Sequence, residues 1–468
     1  MCTTMELEQT PRLGNAAPGE SVEGEINQAE PVQEKTIDNL KMTRFTWKVV
    51  LFSAGGSFMD GYVLSVIGVA LSQIKTEFQM DTVWTALIAT DVMVGILIGT
   101  ALGGYLTDRI GRRKMFMIDL IGVGVLSILS ALVQNPPELF TCRLLIGVFI
   151  GADYPIATSL IAEFSPSRYR TITMGCVSAA WYLGATVAAF VGFALVEYSW
   201  GWHWMLASGI VPAIILIIGR HDIPESPRWL AQKGRHEEAI EVVHKYLGPD
   251  VVLEHEHHTE GKVRVSMLFH GGYLKRVVYV GLLIMCQVVV MYAMYFYGPT
   301  IMHAFGMDEG RMAILGECVV SCFFLAGTIP AMFWMRRLGV RKELIGSLAI
   351  MTVGVGILGF WPDCPIWMVF VAFGMYAFFA GGPGFLQWLY PNELFPTEVR
   401  ASAVGLAIGM SRIGTIIGVY GTPFLVEIFG VGPTMLVAMG LTLFILVLSI
   451  FMAPETHGKT LLEASTID

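Results

Sequence analysis

The chain has 468 residues, of which 54% are hydrophobic and only 15% are charged, and its mean hydropathy is +0.62. Since a soluble globular chain carries about 25% charged residues, this composition argues against a soluble enzyme and indicates a chain that is solvated mainly by lipid. The formal net charge is −8, and no nucleic-acid partner is expected. The seven cysteines include no Cys-x-x-Cys pair, so they are interpreted as packing residues, and neither a metal nor a cofactor is expected.

An acidic tail precedes the apolar part of the chain. It contains no apolar run of the kind that a secretory signal requires, so the N-terminus is expected to be uncleaved and cytoplasmic. Residues 1–45 are predicted to be a disordered cytoplasmic tail, because acid-rich segments with few large apolar side chains cannot bury enough surface to fold. The acidic residues of this tail are Glu6, Glu8, Glu20, Glu23, Glu25, Glu30, Glu34 and Asp38.

Twelve apolar stretches follow the tail, and each is long enough to cross a membrane. A helix needs about 20 apolar residues to span roughly 30 Å of hydrocarbon. The stretches lie near 47–73, 84–106, 115–134, 139–163, 172–198, 203–219, 276–301, 311–335, 343–361, 365–389, 401–427 and 433–452. The predicted fold is therefore an all-α membrane protein with twelve transmembrane helices.

The distribution of Lys and Arg predicts the orientation of these helices. Basic residues collect in alternate connections, at 109–114, 168–170 and 336–342, while the connections between them carry mostly acid. Because basic loops stay on the cytoplasmic side, both termini and the long polar stretch 221–275 are predicted to be cytoplasmic. This stretch is interpreted as a linker with short helices, and its three histidines at 255–258 as an exposed polar turn rather than a metal site.

The two halves of the chain repeat one another. Pro166 and Pro396 end the related runs Glu-Phe-Ser-Pro and Glu-Leu-Phe-Pro, and they lie 230 residues apart. Glu225 and Glu455, in the runs Pro-Glu-Ser and Pro-Glu-Thr, are also 230 residues apart. Two Gly-x-Arg-Lys runs begin at positions 111 and 339, which are 228 residues apart. Three matches at nearly one offset indicate a duplicated unit.

Duplication of a six-helix unit predicts two bundles that hold the substrate between them near the membrane midplane. The N-terminal six-helix bundle is assigned to residues 46–220 and the C-terminal six-helix bundle to residues 276–453. Residues 221–275 form the linker between the bundles, and residues 454–468 form a second cytoplasmic tail.

Several runs of residues resemble the major facilitator superfamily. The run Gly-Tyr-Leu-Thr-Asp-Arg-Ile-Gly-Arg-Arg-Lys at 104–114 is similar to the loop signature between the second and third helices of that family. The resemblance covers about residues 45–460 and is greatest for bacterial metabolite:proton symporters of the inner membrane, in the sugar-porter and organic-ion branches. The runs that carry it are 60–62, 104–114, 151–155, 224–230, 387–396 and 454–458.

The resemblance implies a charge latch at the cytoplasmic ends of the helices. Asp108 lies at the mouth of the second predicted helix, where the family has a latch that holds the outward-open state and releases on inward opening. A solvated loop acid is the alternative interpretation. The corresponding run of the second half, Met-Arg-Arg-Leu-Gly from Met335 to Gly339, has no aspartate, so the latch is expected to be stronger in the N-terminal half. The predicted gating residues are Asp108, Arg112, Arg113, Glu163, Arg170, Glu225, Arg228, Glu393 and Arg400.

Two carboxylates within apolar segments, Asp60 and Asp153, are predicted to carry protons. An ionised aspartate in the middle of a membrane helix costs about 2.5–3.5 kcal/mol, so its presence needs a reason. An acid that is neutral in one conformation and ionised in another couples proton movement to transport. For Asp153, the resemblance to phosphate-type symporters adds a possible substrate contact. The alternative for Asp60 is a static ion pair.

Other charges lie in apolar segments and are given lesser roles. Asp91 and Asp119 are interpreted as structural. Arg143 lies ten residues before Asp153, about 15 Å along a helix, so the two are not expected to pair, and Arg143 is given a secondary role. The sequence leaves the depth of Glu317 open.

Arg412 is the candidate for binding the substrate's charge. A guanidinium stays charged at working pH, so within the membrane it must be paired or must bind an anion, and the organic-anion branch of the family has an arginine near this position. Aromatic and amide side chains would shape the pocket, although each of them singly is more typical of packing or of the lipid interface. The predicted substrate-binding residues are Arg412, Tyr62, Trp181, Tyr182, Gln287, Tyr292, Tyr295, Gln387 and Trp388.

The predicted function is proton-coupled symport of a small organic metabolite, an organic or sugar acid, by alternating access. The protein would act as a monomer in the inner membrane, with its substrate, protons and the lipid bilayer as partners. The alternatives are a proton-coupled exporter working by antiport, a transporter of a neutral sugar, and a membrane sensor with a transporter-like body. The chain contains no nucleotide-binding, nucleophile-elbow or zinc-protease motif, so an enzyme is not predicted.

Overall fold

Helices make up most of the chain that the computed structural model describes. The described residues are 40–166, 169–251, 268–269, 271–307, 311–395 and 397–456. Most of the predicted N-terminal tail, up to residue 39, lies outside them. So do residues 252–267 of the predicted linker, with its histidines, and the C-terminal tail from residue 457.

The described residues form helices α1 to α16. They are α1 (Arg44–Glu77), α2 (Thr82–Ile110), α3 (Arg112–Ser130), α4 (Pro136–Phe164), α5 (Arg170–Leu195), α6 (Gly201–Ala207), α7 (Ile210–Arg220), α8 (Pro227–Gln232), α9 (His236–Tyr246), α10 (Gly271–Ala304), α11 (Arg311–Leu338), α12 (Val340–Phe360), α13 (Ile366–Phe379), α14 (Gly381–Glu393), α15 (Thr397–Phe429) and α16 (Val431–Met452). The short helices α8 and α9 lie in the predicted linker.

Two of the predicted membrane segments are each built from two helices. The sixth segment is broken between α6 and α7 at Ser208 and Gly209, and the tenth is broken between α13 and α14 at Ala380. The second break precedes Gly381, Gly382 and Pro383; glycine favours helix ends and proline is tolerated in the first turn of a helix. Counting each broken pair once, the described helices other than α8 and α9 supply twelve segments.

Ten of these segments are long and apolar enough to cross a membrane within the described part of the chain. The other two are α3 and α4, which bury Asp119, Arg143 and Asp153. A buried charge at membrane depth needs a partner, so these two helices are where ion pairs are expected.

Glycines allow α2 and α4 to pack closely. A Cβ atom added to Gly95 would lie 2.1 Å from the carbonyl oxygen of Leu144, and one added to Gly99 would lie 2.1 Å from that of Val148. Gly147 on α4 meets α2 in the same way, 2.2 Å from a carbonyl oxygen. Small residues four positions apart let the backbones of membrane helices approach, so this stripe fixes α4, and its charges, against α2.

The carboxylate of Glu225 closes the N-terminal end of α3. It accepts hydrogen bonds of 3.0 and 3.2 Å from the backbone N–H of Arg113. The first turn of a helix presents unpaired N–H groups and a partial positive charge, which a carboxylate satisfies. The residue before α3 is Gly111, whose φ of +102° favours glycine, and a Cβ there would also lie 2.8 Å from Glu225 Oε2.

Glu455 caps the N-terminal end of α12 in the same way. It accepts hydrogen bonds of 3.0 and 3.3 Å from the backbone N–H groups of Val340 and Arg341. The preceding Gly339 has a φ of +92°, and a Cβ there would lie 2.7 Å from Glu455 Oε2. The sequence repeat is therefore also a repeat of one capping arrangement, and its residues lie on one face of the molecule, which we call the basic face.

Candidate functional site

The candidate site lies between the two groups of helices, α1–α7 and α10–α16. These groups contact each other mainly through α1 with α10, α2 with α15, and α5 with α11. At the face opposite the basic face, the helices leave a cavity of about 990 Å³ between the groups. Its lining includes Gln73 and Glu77 of α1, Tyr297 and His303 of α10, and Glu427 of α15.

Two polar contacts bridge the groups beside this large cavity. Thr82 Oγ1 donates a hydrogen bond of 2.5 Å to Glu427 Oε2, joining the start of α2 to the end of α15. Arg311 at the start of α11 forms a 3.1 Å ion pair with Glu197, which follows α5. The two groups of helices therefore remain in contact beside the large cavity.

Deeper between the groups lies a second cavity, of about 20 Å³, which we call the central cavity. It holds six of the nine residues predicted to bind substrate, from both groups of helices. Its lining residues are Ser57, Ser178, Trp181, Tyr182, Met291, Tyr292, Gln387, Trp388 and Arg412. At this volume it has room for about one water molecule, so a metabolite would enter only after the helices separate.

A chain of hydrogen bonds and one aromatic contact crosses the central cavity from α1 to α15. The indole Nε1 of Trp181 donates a 2.8 Å hydrogen bond to Asp60 Oδ2. The ring of Trp181 lies 5.7 Å from that of Tyr292, and Arg412 Nη1 donates a 3.1 Å hydrogen bond to the Tyr292 hydroxyl. Tyr292 interacts electrostatically with both Asp60 and Arg412. The site therefore contains one acid and one cation, contributed by opposite groups of helices.

Two more predicted residues, Tyr295 and Gln287, pack around this chain. The ring of Tyr295 lies 5.3 Å from that of Trp181. Gln287 and Tyr182 both contact the sulfur of Met291, at 3.8 and 3.5 Å. The Gln287 Oε1 atom is buried and has no hydrogen-bond partner in the described structure, so it is available to a ligand that enters when the central cavity opens.

Tyr62 lies elsewhere. Its hydroxyl shares a 2.5 Å hydrogen bond with Ser208 at the break between α6 and α7. It lines a third, very small cavity with Arg143, inside the N-terminal group of helices. The structure therefore does not place Tyr62 with the other predicted substrate-binding residues.

Asp153, the second predicted proton carrier, belongs to a separate buried cluster near the basic face. Its carboxylate meets the guanidinium of Arg220 at 3.4 Å, and Arg220 also lies 3.7 Å from Asp119. Arg220 donates hydrogen bonds to the carbonyl oxygens of Phe52 and Phe116 and stacks 3.3 Å from the Phe116 ring centroid. Two carboxylates thus share one guanidinium, and both lie away from the central cavity.

Asp91 and Arg143 form a fully buried ion pair between α2 and α4. Arg143 Nε lies 3.2 and 2.9 Å from the two carboxylate oxygens of Asp91, and both side chains are at most 1% exposed. Among the described residues, Arg143 pairs with Asp91 and Asp153 pairs with Arg220, so the two are not each other's partners, as expected from their spacing. The structural role predicted for Asp91 is consistent with this pair.

The predicted gating residues that the structure describes lie at the basic face. Arg112 Nη1 donates a 3.4 Å hydrogen bond to Ser226, and Arg113 Nη2 donates one of 2.9 Å to the carbonyl oxygen of His221. Glu393 is the last residue of α14, at the same face. The side chains of Asp108, Glu163, Arg170, Arg228 and Arg400 lie outside the described residues, so the latch remains a prediction.

Sequence reasoning missed several residues of these clusters. Arg220 was included only as the last residue of the predicted N-terminal bundle, yet it is the cation for Asp119 and Asp153. A signal was present, because a segment with intramembrane acids requires a compensating cation. Ser57 and Ser178, which line the central cavity, carry no pattern that separates them from packing serines.

The chain is similar to known transport proteins. The chain matches the family model described as sugar (and other) transporter over residues 49–467. It is 45% identical over 433 residues to the putative metabolite transport protein YaaU of Escherichia coli, covering 92% of this chain and 97% of that protein. The arabinose-proton symporter of Bacillus subtilis is 28% identical, over 89% of this chain and 94% of that protein.

A solved structure has the same arrangement of helices. The xylose transporter XylE of E. coli, in a partially occluded inward-open conformation, matches with a TM-score of 0.75 at 23% identity, covering 89% of this chain and 100% of that chain. This likeness confirms the predicted fold, an all-α membrane protein of the major facilitator type with two six-helix bundles.

Proposed function

Since the chain belongs to the sugar (and other) transporter family and is a membrane transporter rather than an enzyme, we propose that it is a proton-coupled symporter of a small organic acid. The observation that carries this proposal is the position of Arg412. It lines the central cavity with the aromatic rings of Trp181 and Tyr292, and Asp60 lies at the far end of the same contact chain.

The substrate class follows from the guanidinium. Arg412 stays charged, and an anion that enters beside it recovers energy that a neutral sugar would not supply. A carboxylate fits best, because the planar fork of Arg412 binds it through two parallel hydrogen bonds. The rings of Trp181, Tyr182 and Trp388 would cover the apolar faces of a sugar or aromatic acid, with Gln287 and Gln387 available for its hydroxyl groups.

The coupling proton is assigned to Asp60. Asp60 and Arg412 compensate each other's charge across the central cavity when it is empty. When a carboxylate binds Arg412, Asp60 loses that compensation and is more stable with a proton. Proton and anion therefore bind together, which is the requirement for symport. An arabinose-proton symporter among the relatives supports the use of a proton gradient.

Asp153 is given a supporting role in this scheme. Asp119 and Asp153 together carry one more negative charge than Arg220 can balance, so we propose that the cluster holds a proton. Its position near the basic face, inside one group of helices, favours a role in the conformational change rather than in substrate contact.

The orientation and the gate are part of the same proposal. Because basic loops remain cytoplasmic, the basic face is assigned to the cytoplasm of a bacterial inner membrane, with both termini on that side. The large cavity then opens outward. Asp108, Arg112, Arg113, Glu163 and the other predicted gating residues would form the cytoplasmic gate that closes the opposite path.

Uptake into proteoliposomes tests the proposal. D-glucuronate and D-glucose differ in one group, a carboxylate against a hydroxymethyl, and benzoate and benzyl alcohol form a second pair of the same kind. A symporter accumulates an acid when the outside is more acidic, whereas an antiporter accumulates it when the inside is more acidic. Asp60→Asn should lower accumulation by at least about tenfold for a gradient of one pH unit and leave counterflow exchange. Accumulation of D-glucose alone, or full accumulation by Asp60→Asn, would overturn the assignment.

A further inference from the structure

Buried acids in the two halves of the molecule have different kinds of partner. Of the buried acids described in the N-terminal group, Asp91, Asp119 and Asp153 each lie within 4 Å of a guanidinium, and Asp60 accepts a hydrogen bond from Trp181. In the C-terminal group, Glu317 and Glu343 are 3% and 4% exposed, and no ion pair to either is found in the described part of the chain. Each instead accepts a hydrogen bond from a serine one turn later on its own helix.

Glu317 lies on α11 beside α10. Ser321 Oγ donates a 3.4 Å hydrogen bond to Glu317 Oε1. A Cβ atom added to Gly298 would lie 1.9 Å from Glu317 Oε2, so the carboxyl group rests on the backbone of α10. The groups that interact with it electrostatically are the Tyr295 phenol of α10 and the Cys318 thiol of its own helix; among the described residues, no ionised group from α5, α12, α13 or α14 does so.

The position of Glu317 is one helical turn below the large cavity. Ala313 and Ile314, which precede Glu317 by four and three residues, line that cavity. Residues at these spacings share one face of a helix, about 5 Å apart along its axis. On α10, Tyr297 and Pro299 flank Gly298 and also line the large cavity. Glu317 is therefore buried but close to the outward path.

A buried carboxylate without a cation is costly, and such a group takes up a proton instead. We propose that Glu317 is a proton-binding residue of the transport cycle, which holds a proton in this state and exchanges it with solution through the large cavity. The proton comes from hydronium in that cavity and converts the carboxylate to the neutral acid. This inference rests on the proposed proton-coupled function and adds a proton site to Asp60 and to the cluster of Asp119 and Asp153.

Glu317 also lies beside the interface between the two groups of helices. The backbone carbonyl of Ser321, its hydrogen-bond donor, accepts a 3.2 Å hydrogen bond from Thr186 Oγ1 of α5. The ring of Tyr295 lies 5.3 Å from Trp181, also on α5. Loss of the proton from Glu317 would place an uncompensated charge beside this packed interface. Deprotonation therefore favours separation of α5 from α11, which links proton release to the conformational change.

Glu343 supplies the matched control. It is equally buried, its Oε1 accepts a 2.8 Å hydrogen bond from Ser347, and its Oε2 has no hydrogen-bond partner in the described structure. It packs against Gly382 at the basic-face end of α12, and neither residue is among those that line the large cavity. Glu343→Gln therefore removes a similar acid that the outward path does not reach.

Infrared spectroscopy of proteoliposomes without substrate tests the proton site directly. The carbonyl stretch of a protonated carboxyl group shifts when water is replaced by D₂O. We expect a rapidly exchanging band in the wild-type protein that Glu317→Gln removes and that Glu343→Gln and Glu317→Asp retain. Persistence of that band in a folded Glu317→Gln protein, or its loss in Glu343→Gln, would overturn the proposal.

Transport supplies the second readout. With D-glucuronate as the probe, a gradient of one pH unit drives roughly tenfold accumulation for each coupled proton. Glu317→Gln should lower accumulation by about this factor and leave counterflow intact, while Glu343→Gln should match the wild type. Unchanged accumulation in Glu317→Gln would contradict the proposal. If the wild-type protein accumulates no acid, the proposed function fails, and the infrared result still decides whether Glu317 binds an exchangeable proton.

Discussion

The guanidinium of Arg412 is held by the hydroxyl of Tyr292 through a hydrogen bond of 3.1 Å. The two residues come from α15 and α10, which pack against each other within the C-terminal group of helices. Arg412 is only partly buried and lines the central cavity, so its guanidinium lies beside a ligand that enters when this cavity widens. Tyr292 thereby fixes the direction of the cation without neutralising it.

Tyr292→Phe tests this positioning role. A hydrogen bond to a charged group contributes about 1.5–3 kcal/mol. We therefore expect the substitution to weaken binding of a transported acid, with an apparent dissociation constant roughly tenfold higher. Tyr297→Phe is the matched control, because Tyr297 lies on the same helix and donates to the carbonyl oxygen of Val419 instead. Concentration-dependent uptake measures both. Equal effects of the two substitutions would argue against a role for Tyr292 at Arg412.

The two buried acid clusters of the N-terminal group should respond differently to mutation. Asp91 is the partner of Arg143 in a fully buried pair, and removing one member of such a pair costs about 3–5 kcal/mol. Asp153→Asn should cost less, since Asp119 remains to compensate Arg220. Thermal unfolding of the detergent-solubilised protein compares Asp91→Asn with Asp153→Asn. A larger loss of stability in Asp153→Asn would show that the two acids do not share Arg220.

These clusters show what the sequence could and could not predict. The twelve segments and their duplication follow from apolar length and repeated motifs, because both are local patterns. The partners of Asp91 and Asp153 lie 52 and 67 residues away, and no spacing rule links residues on different helices. The sequence separated Asp153 from Arg143 but could not supply Arg220 as its partner.

The central site could be predicted only in part, again because no spacing rule links residues on different helices. Trp181, Tyr292 and Arg412 were named from helices that line the cavity in the family, and the structure brings them together. Tyr62 was named with them because it follows Asp60 in the same run. Two residues along a helix turn a side chain by about 200°, so Tyr62 faces Ser208 instead of the central cavity.

The capping arrangement at the basic face predicts a further contrast between glycines. Gly111 has a φ of +102° and faces Glu225, so Gly111→Ala should destabilise the protein by about 1–3 kcal/mol from backbone strain alone. Gly346 lies within α12, and nothing lies within 4 Å of an added Cβ there. Gly346→Ala should therefore be neutral or stabilising by up to about 1 kcal/mol. Thermal unfolding of the two variants measures this contrast, and a Gly111→Ala protein as stable as Gly346→Ala would contradict the backbone conformation of Gly111.

Competition binding to Arg412→Lys most directly tests the claim that Arg412 binds a substrate carboxylate. Lysine keeps the positive charge but lacks the planar fork that forms two parallel hydrogen bonds. The account predicts that this substitution weakens binding of the transported acid by at least about tenfold, a loss of roughly 1.4 kcal/mol. It also predicts that the uncharged analogue competes poorly with the acid for binding to either protein. Competition by uncharged sugars but not by their carboxylate analogues, with little effect of Arg412→Lys, would contradict it.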